Sequence, residues 1–539
     1  MSWFGSAGTV GPDRFHGGAA WITFALCLAS CGPAGLRWLR VAQREHYLAG
    51  SVSRFAARWW RVTPLNTALA ALAVIAAVAS LWWPVAGVAV AAVVAAGPVG
   101  LSLRGRTSPL AWTRRLRTLA VVWVVLELLV GGVGLAIGPA SVLAVVAALA
   151  VPFMVDVACR ITSPLERRLS AHFVDDAAAR LARVAPTVVA VTGSYGKTST
   201  KGHIVHLVRP TRAVVATPAS FNNRAGLARA INEHLADGTE VFVAEMGTYG
   251  LGEIADLCGW CPPDIAVITA IGPVHLERFG SEDRIVEAKA EILESADVVV
   301  LQVDDPRLAA LAARAEARGK QVLRCSTSDR FADVCVERGR DGTRLSAYLH
   351  GALVAEDVPV PTGLQPSNLA CAIAVSLAVK VEPKDVASRL AGLTAVDHRL
   401  QAVRSASGAT ILDDTYNANP AGASEALAGL SGAAGPGATS PSGHAPRTVV
   451  VTPGMVELGS RQFEENQVFG AAIATMATDL LIVGRTNRRA LLAGVGSVLE
   501  SSTEVQWARD RNQAVEWVRN HLGPGDVVLY ENDLPDHYP

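Results

Sequence analysis

Pro186-Thr187-Val188-Val189-Ala190-Val191-Thr192-Gly193-Ser194-Tyr195-Gly196-Lys197-Thr198 is the stretch from which the rest of the chain is read. Its β-branched first half predicts a buried parallel strand, and the polar-to-apolar run from Ser199 to Val208 predicts a helix behind it. A glycine-rich turn between strand and helix lets backbone N–H groups approach phosphate oxygens closely. The helix N-terminus adds positive potential, Lys197 adds a charge, and Thr198 offers a hydroxyl to Mg²⁺. Gly193, Ser194, Tyr195, Gly196, Lys197 and Thr198 are therefore the candidate cradle for a nucleotide phosphate. The spacing departs from Gly-x-x-x-x-Gly-Lys, because Val191 stands where the first glycine would be. An ordinary strand-to-helix turn is the competing reading.

Upstream of this loop the composition changes. Half of the 539 residues are hydrophobic and only 18% are charged, with the apolar excess before residue 158. A net charge of zero gives no basic excess to point to nucleic acid. Eight cysteines in this length do not make a disulfide framework, and Cys258-Gly259-Trp260-Cys261 lacks the context of a redox motif. Residues 1–17 show no basic n-region before a cleavable apolar core, so no signal peptide is read there.

Five apolar spans are expected: Ala19 to Leu36, two short ones within 66–103 turning at Trp82-Trp83-Pro84, Leu119 to Leu135, and Ser141 to Val157. Arginine-rich segments at 37–62, 104–117 and 160–168 would then share one side. By the positive-inside rule that side is the cytoplasm, with the chain after 158 on it. The segment 37–62, with Trp38, Tyr47, Trp59 and Trp60 among its arginines, is expected along lipid headgroups. Glu127 falls inside the fourth span, either marking a site or facing the bundle. The expected organisation is a membrane domain (1–158), an amphipathic connecting helix (159–185), a central ATP-binding domain (186–393) and a C-terminal domain (394–539).

From 186 onward, short apolar runs alternate with helical stretches, which predicts mostly parallel α/β sheets. The runs are 186–192, 213–217, 240–245, 264–269, 297–303 and 321–325, with an antiparallel insertion at 330–360. A second, Rossmann-like α/β domain has runs at 409–413, 448–452, 479–484 and 526–530. Polar residues at strand ends are ligand candidates, because open parallel sheets bind there. Glu245 ends one run, where a carboxylate can hold Mg²⁺ against phosphates. His275 follows another run, as a metal ligand or a structural histidine. Lys289 reads alone as a solvated helix lysine, and the amides of Asn222 and Asn223 serve a phosphate, a substrate or the turn.

Their order is more specific than any one of them. Thr192-Gly193-Ser194-Tyr195-Gly196-Lys197-Thr198, Ser220-Phe221-Asn222-Asn223, Ala244-Glu245-Met246-Gly247, His275-Leu276-Glu277-Arg278-Phe279-Gly280 and Ala288-Lys289-Ala290-Glu291 together resemble the central domain of the Mur ligase family. Asp397-His398-Arg399-Leu400, Asp413-Asp414-Thr415-Tyr416-Asn417-Ala418-Asn419-Pro420 and Gly454-Met455-Val456-Glu457-Leu458-Gly459 resemble the branch that adds D-alanyl-D-alanine to a muramoyl-tripeptide. The resemblance covers roughly 186–530 and implies a peptidoglycan ligase using ATP and Mg²⁺.

Carried over by position, the resemblance implies that Lys197, His275 and Lys289 are catalytic and that Thr198, Glu245, His275 and Lys289 hold metal. Lys289 would be the lysine that some members carbamylate. Asn368, Arg399 and Asp414 would contact the nucleotide, and Asn222, Asn223, Tyr416, Asn417 and Asn419 the substrates.

Three departures stand against that pattern. The expected membrane helices take the place of the family's UDP-binding first domain. The family's Asn-x-x-Asn element appears as Gln365-Pro366-Ser367-Asn368, and its terminal Lys-Gly-Ser as Glu531-Asn532-Asp533. The expected partners are membrane lipid, a peptidoglycan precursor and a dipeptide or amino-acid amine. The alternatives are a ligase for another envelope carboxylate, lipid-linked or not, and a nucleotide-binding membrane scaffold.

Overall fold

The computed structural model describes residues 17–103, 109–339, 342–361, 363–393, 400–415, 419–434, 446–534 and 538. It has two compact units, Met1–Ser170 with Leu534–Pro539, and Ala171–Asp533.

The first unit is helical: α1 (Gly18–Arg44), α2 (Ser51–Val62), α3 (Pro64–Ala79), α4 (Gly87–Ala96), α5 (Arg114–Ile137) and α6 (Ala140–Val184), whose last turns belong to the second unit. Thr63 caps α3 by accepting from the Asn66 N–H with Pro64 at its first position, and Thr113 caps α5 through the Leu116 N–H. Among the described residues, α1, α5 and α6 are long and apolar enough to cross a membrane, and the bent pair α2–α3 makes a fourth candidate. The two short spans expected within 66–103 are helices of 16 and 10 residues. At 1.5 Å per residue they reach about 24 and 15 Å, short of a hydrocarbon core of about 30 Å.

The arginines also differ from the expectation. Arg37 and Arg40 are buried and donate to the carbonyls of Ala95, Gly97 and Ser102, so they brace the bundle rather than face headgroups. On α2, Arg54, Arg58 and Arg61 are exposed while Val52, Phe55 and Trp59 pack inward. Asp156 accepts the N–H groups of Gly50, Val52 and Ser53 at 2.8, 3.2 and 2.8 Å, capping α2 from α6. Glu127 faces the bundle and accepts from the Trp123 indole at 3.0 Å. The fifth span and the connecting helix form one 45-residue helix, despite Pro152 and Pro164.

The second unit has two sheets. The first holds β1 (Thr187–Thr192), β2 (Val214–Ala216), β3 (Val241–Glu245), β4 (Ile265–Ile268), β5 (Val298–Gln302), β6 (Gln321–Ser326), β7 (Val334–Arg338), β8 (Arg344–Leu349) and β9 (Ala352–Pro359). Their order is β2-β3-β1-β4-β5-β6-β7-β8-β9, parallel through β7 and antiparallel for β8 and β9. Val188 and Ala190 pack on one face with Leu227 and Ile231, while Val189 and Val191 pack on the other with Ile204, Leu207 and Ile373. Burial on both faces explains why β1 reads as an unbroken apolar run.

The second sheet holds β10 (Gln401–Arg404), β11 (Thr410–Asp414), β12 (Thr448–Thr452), β13 (Asp479–Val483), β14 (Glu504–Ala508) and β15 (Val527–Glu531), in the order β10-β11-β15-β12-β13-β14. All neighbours pair parallel except β10 with β11. The sequence reading omits β10 and β14. Both are edge strands, and their mixed polar pattern carries little of the apolar signal.

Candidate active site

The phosphate-loop candidate lies at the C-terminal ends of β1, β3 and β4, with α7 (Lys197–Val208) starting at Lys197. Gly196 has φ +78°, a left-handed backbone that glycine adopts without penalty. A Cβ there would lie 2.0 Å from Asn368 Oδ1, and one on Gly193 would lie 2.0 Å from Thr269 Oγ1. The Ser194 N–H donates to Ala270 O at 2.8 Å. Its hydroxyl donates to Gly272 O at 3.1 Å and accepts from the Gly272 N–H at 3.0 Å. Thr269 Oγ1 donates to Tyr195 O, so the segment after β4 fixes the loop's shape. Lys197 Nζ donates to Gly193 O at 2.8 Å, curling over the turn a phosphate would enter.

Glu245, the last residue of β3, is 1% exposed and held from several sides. Thr198 Oγ1 donates to its Oε2 at 3.0 Å, Lys201 Nζ to the same oxygen at 2.9 Å, and Asn222 Nδ2 to Oε1 at 3.1 Å. Two oxygens on adjacent corners of a Mg²⁺ octahedron lie about 3 Å apart, since each bond is about 2.1 Å. The Thr198–Glu245 separation fits that geometry, and hydroxyl plus carboxylate is a suitable donor pair. Among the described residues no group of three His, Cys, Asp or Glu side chains forms a metal cage.

Lys289 is not the solvated lysine its sequence context suggests. It is buried in the helix Glu282–Ala290, and its backbone carbonyl accepts from the Glu291 N–H. Burial first, then the charge of Lys197, hold its pKa well below that of an ordinary lysine. His275, with φ +60°, places Nδ1 against the Glu457 carboxylate and its ring edge-on to Tyr249 at 4.8 Å. Burial lowers its pKa, and Glu457 opposes that shift.

The two substrate amides separate in role. Asn222 reaches Glu245, whereas Asn223 caps the helix Arg224–His234, its Oδ1 accepting from the Gly226 N–H at 2.9 Å. Asn368, Asp414 and Asn419 line one cleft with Tyr195 and Gly196. Asn419 also caps the helix Pro420–Ala434 through the Gly422 N–H at 2.9 Å. Arg399, Tyr416 and Asn417 lie outside the described residues.

Sequence reasoning gave no role to Lys201 or Glu457. Lys201 was findable, since it stands one helical turn after Lys197 and so shares its face. Nothing short of the fold brings Glu457 to His275, 182 positions away. Cys258 and Cys261 are buried free thiols, and burial pushes Cys258 up to about 12, which leaves it unreactive. Glu531, in the departing terminal element, is fully buried. Thr452 Oγ1 donates to its Oε2 at 2.7 Å, and its Oε1 has no partner among the described residues. Burial, then the neighbouring Asp414, push its pKa up to about 8, against the hydrogen bond from Thr452.

Two family profiles match the chain: the Mur ligase middle domain over residues 191–376, and the Mur ligase, glutamate ligase domain over 398–530. The UDP-N-acetylmuramoyl-tripeptide--D-alanyl-D-alanine ligase of Mycobacterium tuberculosis (strain ATCC 25618 / H37Rv) is 33% identical over 375 residues, 65% of this chain and 71% of that protein. The Bacillus subtilis (strain 168) protein of the same name is 28% identical over 358 residues, 66% of this chain and 75% of that one. Among solved structures, MurF ligase from Thermotoga maritima in complex with ADP is 26% identical with a TM-score of 0.54, covering 67% of this chain and 80% of that one. MurF from Acinetobacter baumannii shares the fold at 23% identity and a TM-score of 0.56, covering 67% and 77%.

Proposed function

The chain belongs to the Mur ligase family of ATP-dependent acid–amino-acid ligases, and from that premise we propose that it joins D-alanyl-D-alanine to a muramoyl-tripeptide precursor at the cytoplasmic face of a membrane. A carboxylate is a poor electrophile towards an amine. In the proposed route its oxygen attacks the γ-phosphorus of ATP and ADP leaves. The amine then attacks the carbonyl carbon of the acyl phosphate and loses a proton. The bond to phosphate breaks, leaving amide and inorganic phosphate.

The residues supply what this route needs. The backbone N–H groups of 195–198 and the positive end of α7 receive the phosphates, while the Ser194 N–H stays on Ala270 O. Lys197 exchanges Gly193 O for the transferring phosphoryl group and offsets its charge. Thr198 and Glu245 would hold Mg²⁺, which when bound neutralises charge on the phosphates. Lys289, held toward its neutral form by burial and by the charge of Lys197, is the amine suited to take up CO₂ as a carbamate and so offer a carboxylate. Asp414 and Asn368 line the cleft where the nucleotide would lie, and the two sheet domains both contribute walls whose closure would exclude water from an acyl phosphate that hydrolyses readily.

The observation that carries the proposal is the constellation of Lys197, Thr198 and Glu245 at one sheet edge, in a chain 33% identical to a ligase of that name. Acceptor labelled with ¹⁸O in its carboxylate tests the route: one ¹⁸O per amide is expected in inorganic phosphate. Unlabelled phosphate would rule out the acyl phosphate.

A second reading, with a lipid-linked acceptor, draws on the first unit. The family domains begin at 191, and the stretch before them carries exposed apolar side chains such as Ile75, Trp83, Leu128, Leu129 and Ile137. Offering the UDP-linked and lipid-linked tripeptides to the same protein separates the two. Turnover of the UDP-linked form alone would exclude the second reading.

A further inference from the structure

His275 and Glu457 belong to the two different sheet domains of the second unit. His275 follows β4 of the first, and Glu457 stands between β12 of the second and the helix Gln462–Met476. Both hold a left-handed backbone, at φ +60° and +65°. Their side chains meet at His275 Nδ1, and because a carboxylate only accepts, Nδ1 carries the proton and donates it. Nε2 then keeps its lone pair, the position a metal would take were His275 a ligand.

The surrounding contacts fix this meeting. The Glu277 N–H donates to Glu457 O at 3.4 Å, and Arg278 stands 4.0 Å from the Glu457 carboxylate and 4.7 Å over the Tyr249 ring. A Cβ on Gly459 would come within 3.2 Å of Glu277 N, so the two backbones touch at that point. Two residues further, Arg461 pairs with Glu282, which also pairs with Arg307.

We propose that Glu457 is a positioning residue: by docking on His275 it fixes the ring's tautomer and angle, so that Nε2 is aimed for metal only when the C-terminal domain is closed. A carboxylate behind a metal-bound histidine is a common arrangement, and losing one costs about 10–100-fold in metal affinity or activity. Here the carboxylate comes from the other domain, which ties completion of the metal site to closure over the nucleotide. The inference rests on the reading of His275 as a metal ligand.

The test uses full-length protein with ADP and Mn²⁺, followed by the electron paramagnetic resonance of free and bound Mn²⁺. Glu457→Ala is expected to weaken Mn²⁺ binding about tenfold or more, Glu457→Gln less, because its amide oxygen still accepts from Nδ1. Adding Glu457→Ala to His275→Ala should then cost nothing further. Thermal melting checks that each variant is folded. If His275→Ala weakens Mn²⁺ binding while a folded Glu457→Ala stays within about twofold of wild type, the positioning role is overturned. If His275→Ala itself has no effect, the metal reading of His275 falls, and the inference with it.

Discussion

At the residue scale the chemistry depends on side chains that burial has changed. Lys197→Ala removes the charge that offsets the transferring phosphoryl group while leaving Gly193 O exposed to water. Turnover should fall about a hundredfold to a thousandfold with an unchanged melting temperature. Near-wild-type turnover would exclude this loop as the phosphate site. Glu531 makes a separate prediction. Folded, it keeps its proton up to about pH 8, whereas the ordinary value is 4.5. Between those values folding takes up a proton, so this group's contribution to stability falls as pH rises. Glu531→Gln keeps an acceptor for Thr452 and removes the titration. Its melting temperature should exceed wild type by several degrees at pH 8, with the gap closing towards pH 5. Parallel curves across that range would contradict the assignment.

At the element scale, the two asparagines before the helix Arg224–His234 do different work. Asn223→Ala removes a cap and should cost about 1 kcal/mol of stability, read from a melting curve, with little change in turnover. Asn222→Ala strips a donor from the Glu245 carboxylate and should raise the Mg²⁺ concentration needed for half-maximal turnover at nearly constant stability. The reverse pattern would exchange their roles.

The same scale shows what the sequence made legible. The runs behind β1, β3, β4 and β5 were plain because burial on both faces demands unbroken apolar residues. Edge strands β10 and β14 were not, since exposure removes that demand. Thr198, Glu245 and Asn222 were readable as strand-end and turn residues, and the fold brings them together. The burial of Lys289 was not, because Glu287-Ala288-Lys289-Ala290-Glu291 looks like a solvated helix face until the sheet beneath it is known. The turn between α3 and α4 was legible at Trp82-Trp83-Pro84, but where each helix stops was not, because hydropathy alone does not mark it.

At the scale of the whole molecule, a ligase core shares its chain with helices whose exposed apolar side chains suit lipid. The protein should stay with membranes through an alkaline carbonate wash and be released by detergent. Release by carbonate would argue against spanning helices. The central claim is that such a chain makes an amide bond. It is tested most directly by giving the purified, detergent-solubilised protein Mg-ATP, a muramoyl-tripeptide acceptor in UDP-linked and lipid-linked forms, and D-alanyl-D-alanine. The products are then weighed by mass spectrometry. Acceptor heavier by one D-alanyl-D-alanine unit is expected, with one ADP and one phosphate for each amide formed. ATP hydrolysis unchanged by the dipeptide, with neither acceptor gaining mass, would contradict it.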